Sequence, residues 1–96
     1  MKLILFVYNA PLEKEIMAGL SAAGIQYYTK WEKVLGIGKS SDPRLDTNVW
    51  PGYNSALLIY CEDQCMANIK ETIKSIKKQL PKGSVSAYVW PLEEVI

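Results

Sequence analysis

The sequence predicts a single α+β domain, residues 1–96, in which a four-stranded antiparallel sheet carries two helices on one face. Three observations support this fold class. Four runs of apolar, β-branched or aromatic residues are typical of strands, and two stretches place apolar residues at helical spacing. These elements follow one another with no linker, repeat or low-complexity segment between them. A chain of 96 residues fits one domain with a modest core.

The first half of the chain predicts a strand, a helix and a second strand. Residues 3–8 are continuously apolar, which is typical of a strand buried on both faces. Pro11 follows, where the first turn of a helix tolerates proline, and Gly24 is a stop signal. Residues 25–35 are rich in Tyr, Thr, Trp and Val, which suit a pleated surface. The helix between them has one apolar stripe, formed by Leu12, Ile16, Leu20 and Ala23.

The second half of the chain predicts the same order of elements: a strand, a helix and a last strand. Residues 54–60 are a second apolar strand, and the pair Glu62-Asp63 begins the longer helix. Residues 81–83 end that helix, and residues 85–90 form the last strand. The apolar positions of the helix alternate at spacings of three and four: Met66, Ile69, Ile73, Ile76 and Leu80.

The predicted order β-α-β-β-α-β is that of the ferredoxin-like sandwich. Two helices can cover only one face of its sheet. The first and third strands are nevertheless apolar at nearly every position, whereas a strand with one solvated face alternates apolar and polar residues. We therefore expect the helix-free face to be buried by self-association.

Composition narrows the function classes. The 11 basic and 10 acidic residues leave a net charge of +1, so no long-range field attracts nucleic acid or a membrane surface. The chain has no histidine, the commonest general base, and we expect no enzyme. Two cysteines do not make a disulfide framework, and no apolar run approaches the length of a membrane span. We expect a cytoplasmic protein that neither inserts into a membrane nor binds nucleic acid.

The connection between the second and third predicted strands is the longest in the chain, with a polar loop at about residues 39–52. Structureless loops of this length inside a small domain are usually functional or disordered. We expect this loop to be mobile in the absence of a partner or ligand. The side chains expected to contact a partner are Asp42, Arg44, Asp46, Asn48 and Trp50.

The loop begins at Gly36, Gly38 and Lys39. Glycines allow backbone N–H groups to approach a phosphate, and the lysine adds a point charge. The same glycines equally suit a strand that needs only a flexible exit. The second helix also has a basic outer face, for which a solvated surface is favoured over a phosphate- or RNA-binding surface: Lys70, Lys74, Lys77, Lys78 and Lys82.

Cys61 and Cys65 offer a different chemistry at the junction of the third strand and the second helix. Two soft thiolates near acidic residues could hold a transition metal ion, although the set is incomplete and free cysteines are often simply buried. An RNA-recognition module shares the β-α-β-β-α-β order but carries an aromatic-glycine signature that the third strand lacks. A core or subunit-contact role is therefore favoured for the aromatic rings that could stack on bases: Phe6, Tyr28, Trp31, Tyr60 and Tyr88.

Four segments together resemble the PII-like signalling family, the relatives of nitrogen-regulatory PII. They are residues 1–4 (Met-Lys-Leu-Ile), 21–24 (Ser-Ala-Ala-Gly), 36–39 (Gly-Ile-Gly-Lys) and 88–96, where a strand is followed by Pro-Leu-Glu-Glu-Val. The likeness extends in matching order over nearly the whole chain. It implies a homotrimer that binds a small effector, such as an adenine nucleotide, in clefts between subunits. It also implies that the 39–52 loop contacts a target protein, such as a membrane transporter or an enzyme.

Within this resemblance, the residues expected to bind the effector are Gly36, Gly38 and Lys39, with Lys82 and Gly83 from a neighbouring subunit. Arg44 is the only arginine in the chain, so any nucleotide should be held weakly. Two alternatives remain open. One is a metal-responsive protein similar to the CutA branch, or an efflux-associated protein, that uses Cys61 and Cys65. The other is an RNA-binding module.

Overall fold

The computed structural model describes residues 1–39 and 41–96 and contains four strands and two helices. A short 3-10 turn precedes each helix, at Ala10–Leu12 and Asp63–Cys65, so each helix begins later than its sequence pattern predicts. In chain order the elements are β1 (Lys2–Asn9), α1 (Glu13–Ala22), β2 (Thr29–Val34), β3 (Asn54–Cys61), α2 (Met66–Gln79) and β4 (Val85–Pro91).

The four strands form one antiparallel sheet in the order β2-β3-β1-β4. This is the ferredoxin-like α+β fold that the sequence predicts. The register is unbroken along β1, where Phe6 lies opposite Leu57 on one side and Ala87 on the other. Between β2 and β3 the register shifts after Trp31.

One face of the sheet carries both helices and holds the core. Phe6 is 1% exposed and Leu57 is fully buried, and they pack with Ile16 of α1 and Ile69 of α2. The prediction of two helices on one sheet face is therefore confirmed. Phe6 belongs to this core, so it is not one of the rings available for base stacking. Of the helices that the structure describes, neither has the length and apolar character needed to cross a lipid bilayer.

A polar cluster closes one end of the core. The buried Tyr8 hydroxyl donates a 2.8 Å hydrogen bond to Glu13, and Lys30 donates to the same carboxylate oxygen at 3.1 Å. Burial and the adjacent Glu13 carboxylate raise the pKa of Tyr8 well above its usual range. The hydrogen bonds from Tyr8 and then Lys30 lower the pKa of Glu13. The cluster ties β1, α1 and β2 together.

The opposite face of the sheet has no helix on it. Because side chains alternate along a strand, the residues that lie between the core positions of each strand point to this face. Its aromatic rings are about half exposed: Trp31 46%, Tyr60 55%, Tyr88 54% and Trp90 42%. The rest of the surface is formed by Leu3, Leu5, Val7, Ala56 and Leu58. We call this surface the open face. β1 and β3 are thus apolar on both faces, as predicted.

The connection between β2 and β3 contains backbone hydrogen bonds that the sequence does not predict. Gly36 and Arg44 exchange both backbone hydrogen bonds, at 3.0 and 2.8 Å, as an isolated antiparallel pair. Further along, the Asp46 amide donates to the Gly52 carbonyl at 3.0 Å. These bonds are made by the backbone and therefore leave no trace in the hydrophobic pattern.

Candidate functional site

A basic cleft lies where the exit of β2 meets the turn between α2 and β4. Its volume is about 500 Å³. Lys39, Lys77 and Lys82 line it, and none of the described residues that line it is acidic. The remaining lining residues are Gly38, Ser41, Leu80, Pro81, Gly83, Val85, Ser86 and Tyr88. A concave surface with three cations and no carboxylate is suited to binding an anion.

Backbone geometry fixes the wall of the cleft that follows α2. The Ser84 amide donates to the Pro81 carbonyl at 3.1 Å and closes a turn. Gly83 has a φ of 81°, a conformation that favours glycine because other residues place a Cβ against the carbonyl. The Asn9 amide donates to the Ser84 carbonyl at 3.0 Å and holds this turn against the end of β1. The turn therefore has a defined position relative to the sheet.

Arg44 connects that turn to the exit of β2. Its guanidinium donates to the Asn54 side-chain oxygen at 3.0 Å and to the Gly83 carbonyl at 3.3 Å. Its backbone pairs with Gly36. The sequence predicts Arg44 as a partner contact, but the structure places it half-buried with its charge directed toward the cleft walls. Arg44 acts as a brace between two segments that are distant in sequence.

A second cavity, of about 490 Å³, opens next to the basic cleft at the edge of the open face. Its floor and sides are mainly apolar, with Val7, Trp31 and Ile37 among the lining residues. The two cavities share Gly38, Ser41, Gly83, Ser86 and Tyr88. An apolar, aromatic compartment and a cationic compartment therefore lie side by side.

The structure brings the predicted effector-binding residues together within one chain. Lys39 and Lys82 line the basic cleft, Gly36 lines the apolar cavity, and Gly38 and Gly83 line both. Lys82 and Gly83 thus lie beside the β2 exit of their own chain. Sequence reasoning did not assign the other lining residues to the site. Lys77 could have been assigned to the site from the sequence, since it lies in the last turn of α2 just before the turn at residues 81–84.

The other residues predicted to contact a partner lie on the outer part of the loop. Asp42, Asp46, Asn48 and Trp50 are exposed. Asp46 pairs with Lys33 and has a φ of 55°, which aspartate tolerates better than most residues. The Trp50 amide donates to the Thr47 hydroxyl at 2.9 Å. The structure therefore presents Asp46, Asn48 and Trp50 on a hydrogen-bonded turn, and Asp42 precedes this turn.

The two cysteines lie at the other end of β3 from the basic cleft. Cys61 is half-buried and donates its S–H to the Met66 thioether sulfur at 3.3 Å, whereas Cys65 is exposed. Burial, and then the proximity of Cys65, raises the pKa of the Cys61 thiol. Met66 was not predicted as a site residue because its helical spacing already assigns it to the core. Within the described ranges, no group of three or more His, Cys, Asp or Glu side chains is placed to share a metal ion.

Comparison with known proteins does not identify a family: no family model matches the sequence, and a search of curated proteins gives no match. The function must therefore be argued from the cleft, the open face and the loop.

Proposed function

We propose that this chain is a non-catalytic, PII-like regulatory protein that binds a small phosphate-bearing effector in the basic cleft. The observation that carries this proposal is the basic cleft opening directly beside an apolar, aromatic cavity. A ligand that fits both compartments has an anionic end and a flat apolar end. A nucleotide is such a ligand, and the resemblance to the PII-like family favours an adenine nucleotide.

The basic cleft offers a phosphate three ammonium groups, from Lys39, Lys77 and Lys82. All three lysines are exposed at the rim, so they can move toward a ligand. Gly38 and Gly83 add backbone with no side chain in the way. Lysine is a point charge that does not form the paired hydrogen bonds of a guanidinium.

The apolar cavity offers a base a stacking surface. Trp31 and Tyr88 line it and are about half exposed, and Tyr88 also borders the basic cleft. Aromatic stacking of this kind is worth about 1–3 kcal/mol per base and depends little on which base is present. A base placed against Tyr88 would leave its phosphates facing the lysines.

We predict weak nucleotide binding, in the micromolar to millimolar range, with AMP, ADP and ATP close together. Arg44 is the only arginine and its guanidinium is already engaged by Asn54 and Gly83. Without a guanidinium that binds a phosphate through two parallel hydrogen bonds, each added phosphate increases the affinity only slightly. Titration calorimetry on the purified protein measures these affinities. Nanomolar ATP binding with a strong preference over AMP would contradict the prediction, and no binding of any of the three would contradict the proposed ligand.

Two substitutions test the location of the site. Lys77→Gln and Lys82→Gln should each weaken ADP binding about tenfold, because each removes a charge worth roughly 1–3 kcal/mol against a phosphate. Lys78→Gln is the matched control, since this residue is adjacent on α2, is exposed and does not line the cleft. Equal weakening by all three variants would indicate a general charge effect and not a site.

We further propose that the protein is a homotrimer in the cytoplasm, with subunits packed through the open face. On the strands β1, β3 and β4, all of them described, none of the residues that point to this face is charged. Exposed apolar patches of this kind mark interaction sites. The proposal that the oligomer has three subunits rests on the resemblance to the PII-like family. Because the apolar cavity opens at the edge of this face, a trimer would place it between subunits.

Light scattering at micromolar concentration should therefore give three times the chain mass of 10.8 kDa. Burial of the open face drives the association, and it includes Tyr60 and Trp90, which lie outside the apolar cavity, since aromatic side chains bury about 150–250 Å² each. A clean monomer mass would contradict the trimer and would favour the RNA-binding alternative.

That alternative has one observation in its favour, which is the exposure of Trp31, Tyr60 and Tyr88 on the sheet face that such modules use. The uncharged character of the open face weighs against it, because phosphate contacts supply most of the affinity for nucleic acids. Binding of a single-stranded RNA with a steep salt dependence would support this second function.

The exposed loop residues Asp42, Asp46, Asn48 and Trp50 are the proposed contact with a target protein, such as a membrane transporter or an enzyme. Their mixed charge and single large aromatic ring suit a small interface with one buried anchor. Occupation of the basic cleft would reach this loop through Lys39, Ser41 and Arg44, which connect the cleft to it.

A further inference from the structure

Three sulfur-bearing residues belong to the junction of β3 and α2. Cys61 ends the strand, Cys65 ends the short 3-10 turn, and Met66 is the first residue of the helix. The Cys61 and Met66 sulfurs are 3.3 Å apart. Bonds from sulfur to a metal ion are about 2.3 Å long, so one ion can bind two sulfurs separated by up to about 4.6 Å.

The 3-10 turn brings the second thiol to the same place. The Cys65 amide donates to the Glu62 carbonyl at 3.0 Å, which folds the chain back toward the end of β3. Cys61 and Cys65 line one cavity of about 180 Å³, and Ile59 and Ile69 form part of its wall. The site is therefore a small, partly apolar pocket with two cysteines in its lining, and the Met66 thioether contacts the thiol of Cys61.

The donor set selects the metal. Structural zinc sites take four ligands from cysteine, histidine or carboxylate, and the described residues offer no group of even three. Thioether sulfur is not among the usual ligands of zinc, whereas both thiolate and thioether sulfur are soft ligands that suit Cu(I). Two thiolates and one thioether are a soft donor set of low coordination number.

We infer that Cys61, Cys65 and Met66 form a site for one Cu(I) ion per chain. Both thiols lose their protons to solvent when the ion binds. The site lies at the opposite end of β3 from the basic cleft, so it is independent of the proposed nucleotide site. The protein would thus respond to a soft monovalent cation in addition to an anionic effector.

Anaerobic titration of the reduced full-length protein with Cu(I) tests this inference, with the chromogenic chelator bicinchoninate as competitor. We expect the chain to withdraw one Cu(I) from the chelator. Cys61→Ser and Cys65→Ser should each weaken binding by at least about 100-fold, since even outer-shell partners of a metal are worth about 10–100-fold. Retention of Cu(I) by the double serine variant would overturn the inference, as would failure of the wild-type chain to compete.

Met66→Leu tests the third ligand. Leucine fills a similar volume at this buried position, so the fold should tolerate the change. We expect one Cu(I) still to bind, but about tenfold more weakly. Met17→Leu is the matched control, because Met17 is another partly buried methionine and lies on α1 away from the cysteines. Unchanged affinity in Met66→Leu would overturn the three-sulfur site, and circular dichroism of each variant separates a lost ligand from a lost fold.

Discussion

Replacing Leu5 with glutamate is expected to convert the proposed trimer into folded monomers. Leu5 lies at the centre of the open face, opposite Leu58 on β3 and Tyr88 on β4. In a monomer the new carboxylate can face water, so the fold is preserved. In the trimer it would be buried without a partner, which costs several kcal/mol for each subunit. Light scattering and circular dichroism measure the mass and the fold of the same sample.

Ala18→Glu is the matched control for this variant. It adds the same charge at an exposed position of α1, on the helix side of the sheet. We expect it to remain trimeric. If Leu5→Glu also remains trimeric and folded, the subunits do not associate through the open face. Because Leu5 also lines the apolar cavity, Leu5→Glu should in addition weaken ADP binding, whether or not the nucleotide is held between subunits.

Much of the fold could be predicted because hydrophobic periodicity records which side of each element faces the core. The stripe that contains Ile69 and Ile76 on α2 predicts the helix, and these residues are buried against the sheet. The apolar character of Leu3, Leu5 and Val7 predicts a second covered face. The sequence pattern places the start of each helix too early, because a 3-10 turn precedes both helices. The spacing of apolar residues alone does not distinguish such a turn from the first turn of an α-helix.

The candidate site could be predicted only in part, because its geometry depends on contacts between distant residues. Gly36, Gly38 and Lys39 indicate a possible phosphate contact from residue type, whereas Lys82 and Gly83 were assigned to the site only through the resemblance to the PII-like family. The contact between Arg44 and Gly83 spans 39 positions of sequence, and no local pattern records it. Met66 could not be predicted as a site residue for a different reason: its side chain packs in the core, as its spacing predicts, and also contacts Cys61.

Replacing Arg44 with alanine is expected to release the connection between β2 and β3. The change removes hydrogen bonds to the Asn54 side chain and the Gly83 carbonyl. Hydrogen bonds from a charged donor are each worth roughly 1.5–3 kcal/mol, and Asn54 is only 7% exposed, so its oxygen would lose a partner that water cannot readily replace. We expect the free energy of unfolding in urea to fall by about 2–3 kcal/mol.

Hydrogen exchange identifies where this stability is lost. The amides at positions 36 and 44 are bonded to each other's carbonyls, and their exchange should accelerate by about two orders of magnitude, which corresponds to about 2.7 kcal/mol. Asn48→Ala, an exposed change in the same loop, should leave both amides unaffected. Arg44→Lys keeps the charge but cannot reach two acceptors in a fixed fork, so it should be intermediate. Unchanged exchange in Arg44→Ala would show that the paired backbone is held without the guanidinium, and the loop would then be independent of the cleft that it borders.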